Sequence, residues 1–289
     1  MPSPLNPSEN HFNTAMSRTQ MKMTRKITFS SGHRYWFDHI SEAENKFLFG
    51  EWGSPFSHGH NYVLDVEVAG TVTPENGMIV NIKDVDAVLK KQLLPQFANR
   101  SMNDEIEHFK THAPCVENIL HYLWKEINRI GLPQECSLTH LKLEETPLFY
   151  GEYDGMKTTL TRIYEFAASH RLDSPHLSPE ENIAIYSKCN NVAGHGHNYL
   201  LEVTISGTPD PKTGFICSLG DLDSAVHEHV VDRYDHKNLD VDVPEFQGVI
   251  TTSENVAQEI FKRLKDTIPG TLQRIRLHET ARNIFEVTS

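Results

Sequence analysis

No stretch of this 289-residue chain approaches the ~20 consecutive apolar residues that a membrane-spanning helix needs. The N-terminus, MPSPLNPSENHFNTAMSRTQ, has no apolar segment, so residues 1–21 read as a flexible extension and not as a secretory leader. Cysteines are few: Cys115, Cys136, Cys189 and Cys217, with no CxxC pair. That argues against a disulfide framework and points to a reducing cytoplasm. Cations are outnumbered, 27 against 39 acidic residues, for a formal net charge of −12. So acidic a surface repels nucleic acid and anionic membranes, and neither is an expected partner. An anionic small molecule would need a local basic pocket, which net charge does not reveal. Histidine, in contrast, is plentiful at 17 residues and invites a search for metal sites.

The length suggests two domains, and internal repetition says how they arise. SHGHNY at 57–62 returns as GHGHNY at 194–199, so His58 and His60 stand 137 residues before His195 and His197. The same offset relates His33 to His170, Gly77 to Gly214, Asp84 to Asp221 and Glu117 to Glu254. Further on it becomes 134, matching LEET ending at Thr146 with LHET ending at Thr280. One register over more than 80 residues implies two related domains, 22–153 and 157–289, joined by a short linker near Gly151–Gly155 that keeps them close.

Each copy has the same pattern. First strands are expected near Arg25–Ser31 and Leu160–Ala168. Second strands alternate, with Tyr62, Leu64, Val66 and Val68 on one face, and Tyr199, Leu201, Val203 and Ile205 likewise. Helices follow near Asn81–Leu93 and Gly220–Val231. Another opens at Thr252 or Ser253, with Val256, Ile260 and Leu264 at helical spacing. Closing strands fall near Arg274–Glu279 and Ile284–Val287. The order ββααββ, with helices grouped, predicts an α+β fold of two tandem antiparallel-sheet domains.

The HGH pair opens the second strand, where residues i and i+2 share a face. His195 and His197 can therefore meet on one ion, with His170 from the end of the first strand as a third ligand. Three histidines with an open fourth position suit catalytic Zn²⁺, whereas structural sites usually have four protein ligands. His227 and His229 share the spacing, but on a helix they point roughly 200° apart and read as surface residues. His39 and His176 fall in loops with no evident partner and read as surface residues too.

The blocks YSKCNNVAGHGHNY (186–199), DHKNLD (235–240), TTSENVA (251–257) and LHET (277–280) together closely resemble the 6-pyruvoyltetrahydropterin synthase family over almost all of residues 160–287. The five-residue gap between Cys189 and HGH favours this type over the related 6-carboxytetrahydropterin synthases of deazapurine biosynthesis. The resemblance implies conversion of 7,8-dihydroneopterin triphosphate to 6-pyruvoyltetrahydropterin with loss of triphosphate, and it assigns roles. Zn²⁺ on His170, His195 and His197 would act as a Lewis acid. Cys189 would be the base, Asp235–His236 a second proton-transfer pair, and Glu279 the acceptor for the pterin's paired N–H donors, with Thr252 and Ser253 adding contacts.

The first copy departs from this pattern. It keeps His33, His58 and His60 as a possible second metal site, and Glu145 as a possible pterin anchor. Trp52 stands where Cys189 would be, and Ala98–Asn99 where Asp235–His236 would be, so it is expected to lack turnover. The family likeness further implies a homo-oligomer in which β-barrel rings close, with Asp–His contributed across a subunit boundary. On that premise Cys189 meets Asp235–His236 only if second copies gather in one ring and first copies in another, that is, in a trimer of chains with six fold units. Two other readings of the chain are a 6-carboxytetrahydropterin synthase and a pterin-binding protein without turnover.

Overall fold

A computed structural model describes residues 20–289. The flexible-extension reading of residues 1–21 lies outside them except for Gln20 and Met21, which belong to the first strand. The first copy runs β1 (Gln20–His33), α1 (Glu42–Phe49), β2 (His58–Thr71), α2 (Ile82–Val88), β3 (Arg100–Ser101), α3 (Met102–Glu105), α4 (Val116–Ile130), β4 (Cys136–Thr146) and β5 (Phe149–Tyr153). The second runs β6 (Thr158–His170), α5 (Pro179–Tyr186), β7 (His195–Ser206), α6 (Leu219–Val226), α7 (Asp232–Tyr234), β8 (Lys237–Asn238), α8 (Ser253–Leu264), β9 (Thr271–Thr280) and β10 (Asn283–Thr288).

The alternation read in the sequence is the core. Tyr62, Leu64, Val66 and Val68 of β2 and Tyr199, Leu201, Val203 and Ile205 of β7 are wholly buried. Against them lie Ile119, Leu120 and Leu123 of α4 and Val256, Ile260 and Leu264 of α8. The repeat extends to irregularities: the ladder slips between Glu67 and Val68 and, 137 residues on, between Thr204 and Ile205. Among the described residues no helix is long and apolar enough to cross a membrane.

The expected order ββααββ misses a helix between the first two strands of each copy. α1 and α5 each open with a capping box, Ser41 with Glu44 and Ser178 with Glu181. The expected helices at Asn81–Leu93 and Gly220–Val231 end sooner, at Val88 and Val226, and continue as a wider-wound turn. His227 lies in that turn, exposed, 3.4 Å from Asp232.

The sheet does not break between the copies. Its strands run β10-β9-β7-β6-β5-β4-β2-β1-β3, with β8 beside the far end of β6. Phe149–Tyr153 pairs antiparallel with Thr158–Arg162. The connection is a hairpin in which Asp154 Oδ1 accepts from the Met156 and Lys157 amides, and so short a loop holds its strands side by side. This corrects the expected segregation of first and second copies into separate rings, since the two copies of one chain are neighbours in one sheet. Side chains seal the join: the Ile216 amide donates to Glu117 Oε1 at 2.9 Å, Tyr150 donates to Glu202 at 3.0 Å, and His121 Nε2 lies 2.7 Å from Thr158 Oγ1.

Candidate functional site

Register alone assembles the histidines. His33 pairs with His58 across β1 and β2, and His170 with His195 across β6 and β7. His60 and His197 lie two residues along the same face. In each triad one ring nitrogen per histidine lies within 4.8 Å of the others.

The buried member of each triad is held by a carbonyl. His33 Nδ1 lies 2.8 Å from the Pro114 carbonyl oxygen, and His170 Nδ1 lies 2.7 Å from that of Thr251. A carbonyl only accepts, so Nδ1 carries the proton and Nε2 offers its lone pair to the triad. His33 Nε2, His60 Nε2, His170 Nε2, His195 Nδ1 and His197 Nε2 are all buried and, among the described residues, without a hydrogen-bond partner. Orphaned, converging imidazole nitrogens, with the tautomer of the buried member fixed, fit a zinc-type ion in both copies. Burial, above all, holds His33 down at about 3, and it also lowers His58, His60, His195 and His197. The neutral form that a metal needs is therefore favoured. At His195 and His197 the Lys188 ammonium adds a smaller push in the same direction.

A carboxylate stands over each triad, and the two differ. Glu279 Oε1 is 3.9 Å from both His170 Nε2 and His197 Nε2. Burial raises its pKa, but hydrogen bonds from Ser253 (2.7 Å) and Asn283 (3.1 Å) and the charges of His197 and His170 hold it below the usual range. Glu145 Oε1 is 3.8 Å from His60 Nε2. The positions matching Ser253 and Asn283 are Val116 and Phe149 there, and burial, followed by the charge of Glu117, pushes Glu145 up to about 7.

Of the remaining expected site residues, Thr252 caps α8, its hydroxyl accepting from the Asn255 amide at 3.4 Å. Cys189 is half-buried on a tight turn after α5, and its carbonyl accepts from the Leu172 amide. Two residues earlier, Ser187 has φ 49° and ψ −122°, where the first copy has Gly50 at φ 55° and ψ −132°. Asp235 Oδ2 is 2.8 Å from His236 Nδ1, and its other oxygen accepts from the Ala167 amide. His236 is exposed, at the positive φ shared by its counterpart Asn99. Among the described residues no hydrogen bond links Cys189 to Asp235 or His236. The resemblance implied that the pair acts across a boundary, yet His236 lines an open groove of about 650 Å³ with His197 and Glu279 of its own copy.

Over the first triad lies a pocket of about 670 Å³, walled on one side by His58, His60, Trp52 and Glu145, and on the other by Arg162, Phe215 and Cys217 through Gly220 of the second copy. Sequence reasoning missed this wall. It missed Asn283, and also the repeated ion pairs Arg25–Asp86 and Arg162–Asp223, whose common 137 offset was the available signal.

The sequence profile of the family "6-pyruvoyl tetrahydropterin synthase" matches the chain twice, over residues 22–156 and 159–289. A 6-pyruvoyl tetrahydrobiopterin synthase of Poecilia reticulata is 48% identical over 126 residues, which span 43% of this chain and 86% of that protein. The enzyme of that name from Homo sapiens is 47% identical over 126 residues, 43% of this chain and 87% of the relative. Among solved structures, 6-pyruvoyl tetrahydropterin synthase from Caenorhabditis elegans is 41% identical, covers 45% of this chain and 94% of its own, and superposes with a TM-score of 0.44.

Proposed function

The chain belongs to the 6-pyruvoyl tetrahydropterin synthase family in both of its copies, and we propose from that premise that the second copy is the one that turns over a pterin triphosphate. One contrast carries the reading. Both copies keep a metal-ready triad and a carboxylate, but only the second also has a thiol at Cys189 and the Asp235–His236 pair. The reaction is conversion of 7,8-dihydroneopterin triphosphate to 6-pyruvoyltetrahydropterin with release of triphosphate.

Zinc held by His170, His195 and His197 would supply Lewis acidity at the substrate's side-chain hydroxyls. Glu279, kept ionised by Ser253 and Asn283, accepts the paired N–H donors of the pterin ring and fixes its plane. Cys189 removes the carbon-bound proton. His236, oriented by Asp235, handles the second proton from the groove that it lines with His197. Trp52 and Ala98–Asn99 can do none of this proton transfer, so the first copy holds a metal ion without turnover. The protein works as a homo-oligomer, in a reducing cytoplasm that suits its four free cysteines.

The test is turnover of 7,8-dihydroneopterin triphosphate by wild type and Cys189→Ala, with products identified by mass spectrometry and zinc measured on both. Wild type should release triphosphate and the pyruvoyl product, and the variant should keep its zinc and lose activity. A carboxy product would move the chain to the sister activity. An inactive, zinc-loaded wild type would leave only a pterin-binding protein.

A further inference from the structure

The proposed reaction uses only Asp235 and His236 of the DHKNLD block, yet the last residue of the block is bonded on both of its oxygens. The block lies along the far end of β6. The His236 amide donates to the Ala167 carbonyl at 2.6 Å, and the Leu239 amide to that of Ser169 at 2.8 Å. This sets half-buried Asp240 beside the next stretch of chain, His170 and Arg171. Its Oδ2 accepts from the Arg171 amide at 2.6 Å, and its Oδ1 from the Thr251 hydroxyl at 2.6 Å. Hydrogen bonds this short to a carboxylate are among the strong ones.

The two bonds lead to different parts of the site. Thr251 is wholly buried, and its carbonyl oxygen lies 2.7 Å from His170 Nδ1, the contact that fixes the tautomer of this candidate metal ligand. Arg171 reaches the other way. Its Nε donates to the Asn190 carbonyl at 3.1 Å, and the Leu172 amide next to it donates to the Cys189 carbonyl at 2.9 Å. Asn190 Nδ2 in turn donates to the Leu172 carbonyl at 2.7 Å. One carboxylate therefore stands where the triad, the thiol turn and the His236 segment meet.

The first copy lacks this tie. Asn103 stands at the place of Asp240 and gives both polar groups to one residue: its Oδ1 accepts from the Arg34 amide at 2.8 Å and its Nδ2 donates to the Arg34 carbonyl at 3.0 Å. Pro114 stands at the place of Thr251 and has no hydroxyl to donate. The Arg34 guanidinium binds Asp38 and Asp104, and Gly53, at the place of Asn190, gives its carbonyl to Lys46. The triad and its carbonyl persist there without the brace behind them. The brace accompanies the thiol and is absent where tryptophan replaces it.

We infer that Asp240 is a positioning residue: it holds the Thr251 carbonyl on His170 and the Arg171 arm on the Cys189 turn, so that triad, thiol and His236 keep one geometry. Its part in turnover rests on the proposed function; its hold on the triad does not. Partners behind a metal ligand govern affinity, and their loss costs about 10- to 100-fold. A reacting group displaced by ~1 Å costs about a hundredfold in rate.

The experiment reads zinc affinity and kinetics separately on the full chain. Zinc affinity is measured by chelator competition in a His58→Ala background, where only the second triad is complete. Asp240→Ala and Thr251→Val should each weaken it about 10- to 100-fold. The double variant should be no worse than the poorer single one, because both changes cut the same link. Arg171→Leu should keep wild-type zinc affinity and lose kcat about tenfold or more, since its side chain reaches the thiol turn and not Thr251. Asp240→Ala should lower kcat with little change in KM, because Ser253 and Asn283 still hold Glu279. Asp240→Asn should restore both readouts: its carbonyl oxygen can accept from the Arg171 amide, as Asn103 does from Arg34, and its NH₂ can face the Thr251 hydroxyl. Misfolding is checked in a His195→Ala background, where the first triad of Asp240→Ala should bind zinc as tightly as before. Wild-type zinc affinity in Asp240→Ala, additive losses in the double variant, or an Asp240→Asn as poor as Asp240→Ala would each overturn the inference. If zinc responds as stated while wild type leaves the pterin triphosphate unchanged, the proposed function alone fails. If wild type turns over and Asp240→Ala equals it in both readouts, the positioning role alone fails.

Discussion

Ser253 donates a 2.7 Å hydrogen bond to the Glu279 carboxylate, and at the matching place beside Glu145 the chain has Val116. With Phe149 in place of Asn283 and the charge of Glu117 nearby, that change separates a carboxylate kept ready to accept from one that burial, above all, drives toward its protonated form. Ser253→Val should move the second copy's carboxylate part of the way to the first copy's environment, with the Asn283 hydrogen bond retained. A hydrogen bond to a charged group is worth about 1.5–3 kcal/mol, so KM for the pterin should rise roughly ten- to a hundredfold. Zinc content, measured alongside the kinetics, should not change, since among the described residues the Ser253 hydroxyl bonds Glu279 and no triad member.

Two triads with orphaned nitrogens should hold two metal ions per chain. Elemental analysis of wild type should find two equivalents of zinc. His195→Ala and His58→Ala should each remove about one, and only the first should abolish turnover. Chelation should lower the melting temperature, because emptied triads leave buried polar nitrogens without partners.

Ser187 occupies a backbone conformation that belongs to the first central position of a type II′ turn, where glycine is the natural residue. The first copy has Gly50 there. Such strain costs on the order of 1–3 kcal/mol, partly offset by glycine's greater freedom when unfolded. Ser187→Gly should therefore stabilise the protein by about 1 kcal/mol in chemical denaturation. If stability falls instead, the turn that carries Cys189 is not strained.

Glu117 is buried at the join, and burial raises its pKa. A carboxyl raised on folding contributes its full stability below the unfolded value, about 4.3, and loses it as pH rises through the folded value. Gln at this position keeps an acceptor for the Ile216 amide but does not ionise. The melting temperature of Glu117→Gln should therefore gain on wild type as pH is raised from 5 to 8. A constant difference would show that Glu117 does not titrate in this window.

The strands and the triads were legible because both rest on period two. Tyr199, Leu201, Val203 and Ile205 mark a buried face, and His195 and His197 continue it. The helices α1 and α5 were not, since they have no apolar stripe. Ile183 and Ile185 are each 61% exposed, and α5 is held by its capping box and by buried Asn182, which bonds both backbone groups of Ser174. Asn45 does the same for Phe37. Nor could the sequence say that the copies share a sheet, because edge pairing is made by backbone groups that every residue carries. The hairpin at Asp154–Lys157 was the one hint, read only as proximity. Asn283 was missed because it acts on Glu279 from the far side of a turn.

The covalent hairpin between β5 and β6 also frees the two copies from being identical. In an assembly of single-copy subunits, any substitution recurs at every contact, so a change that ruins one site ruins all of them. Here the contact made within the chain and the surfaces left at its ends are chemically independent. Tryptophan can replace a thiol in one half while the other keeps its reactive groups.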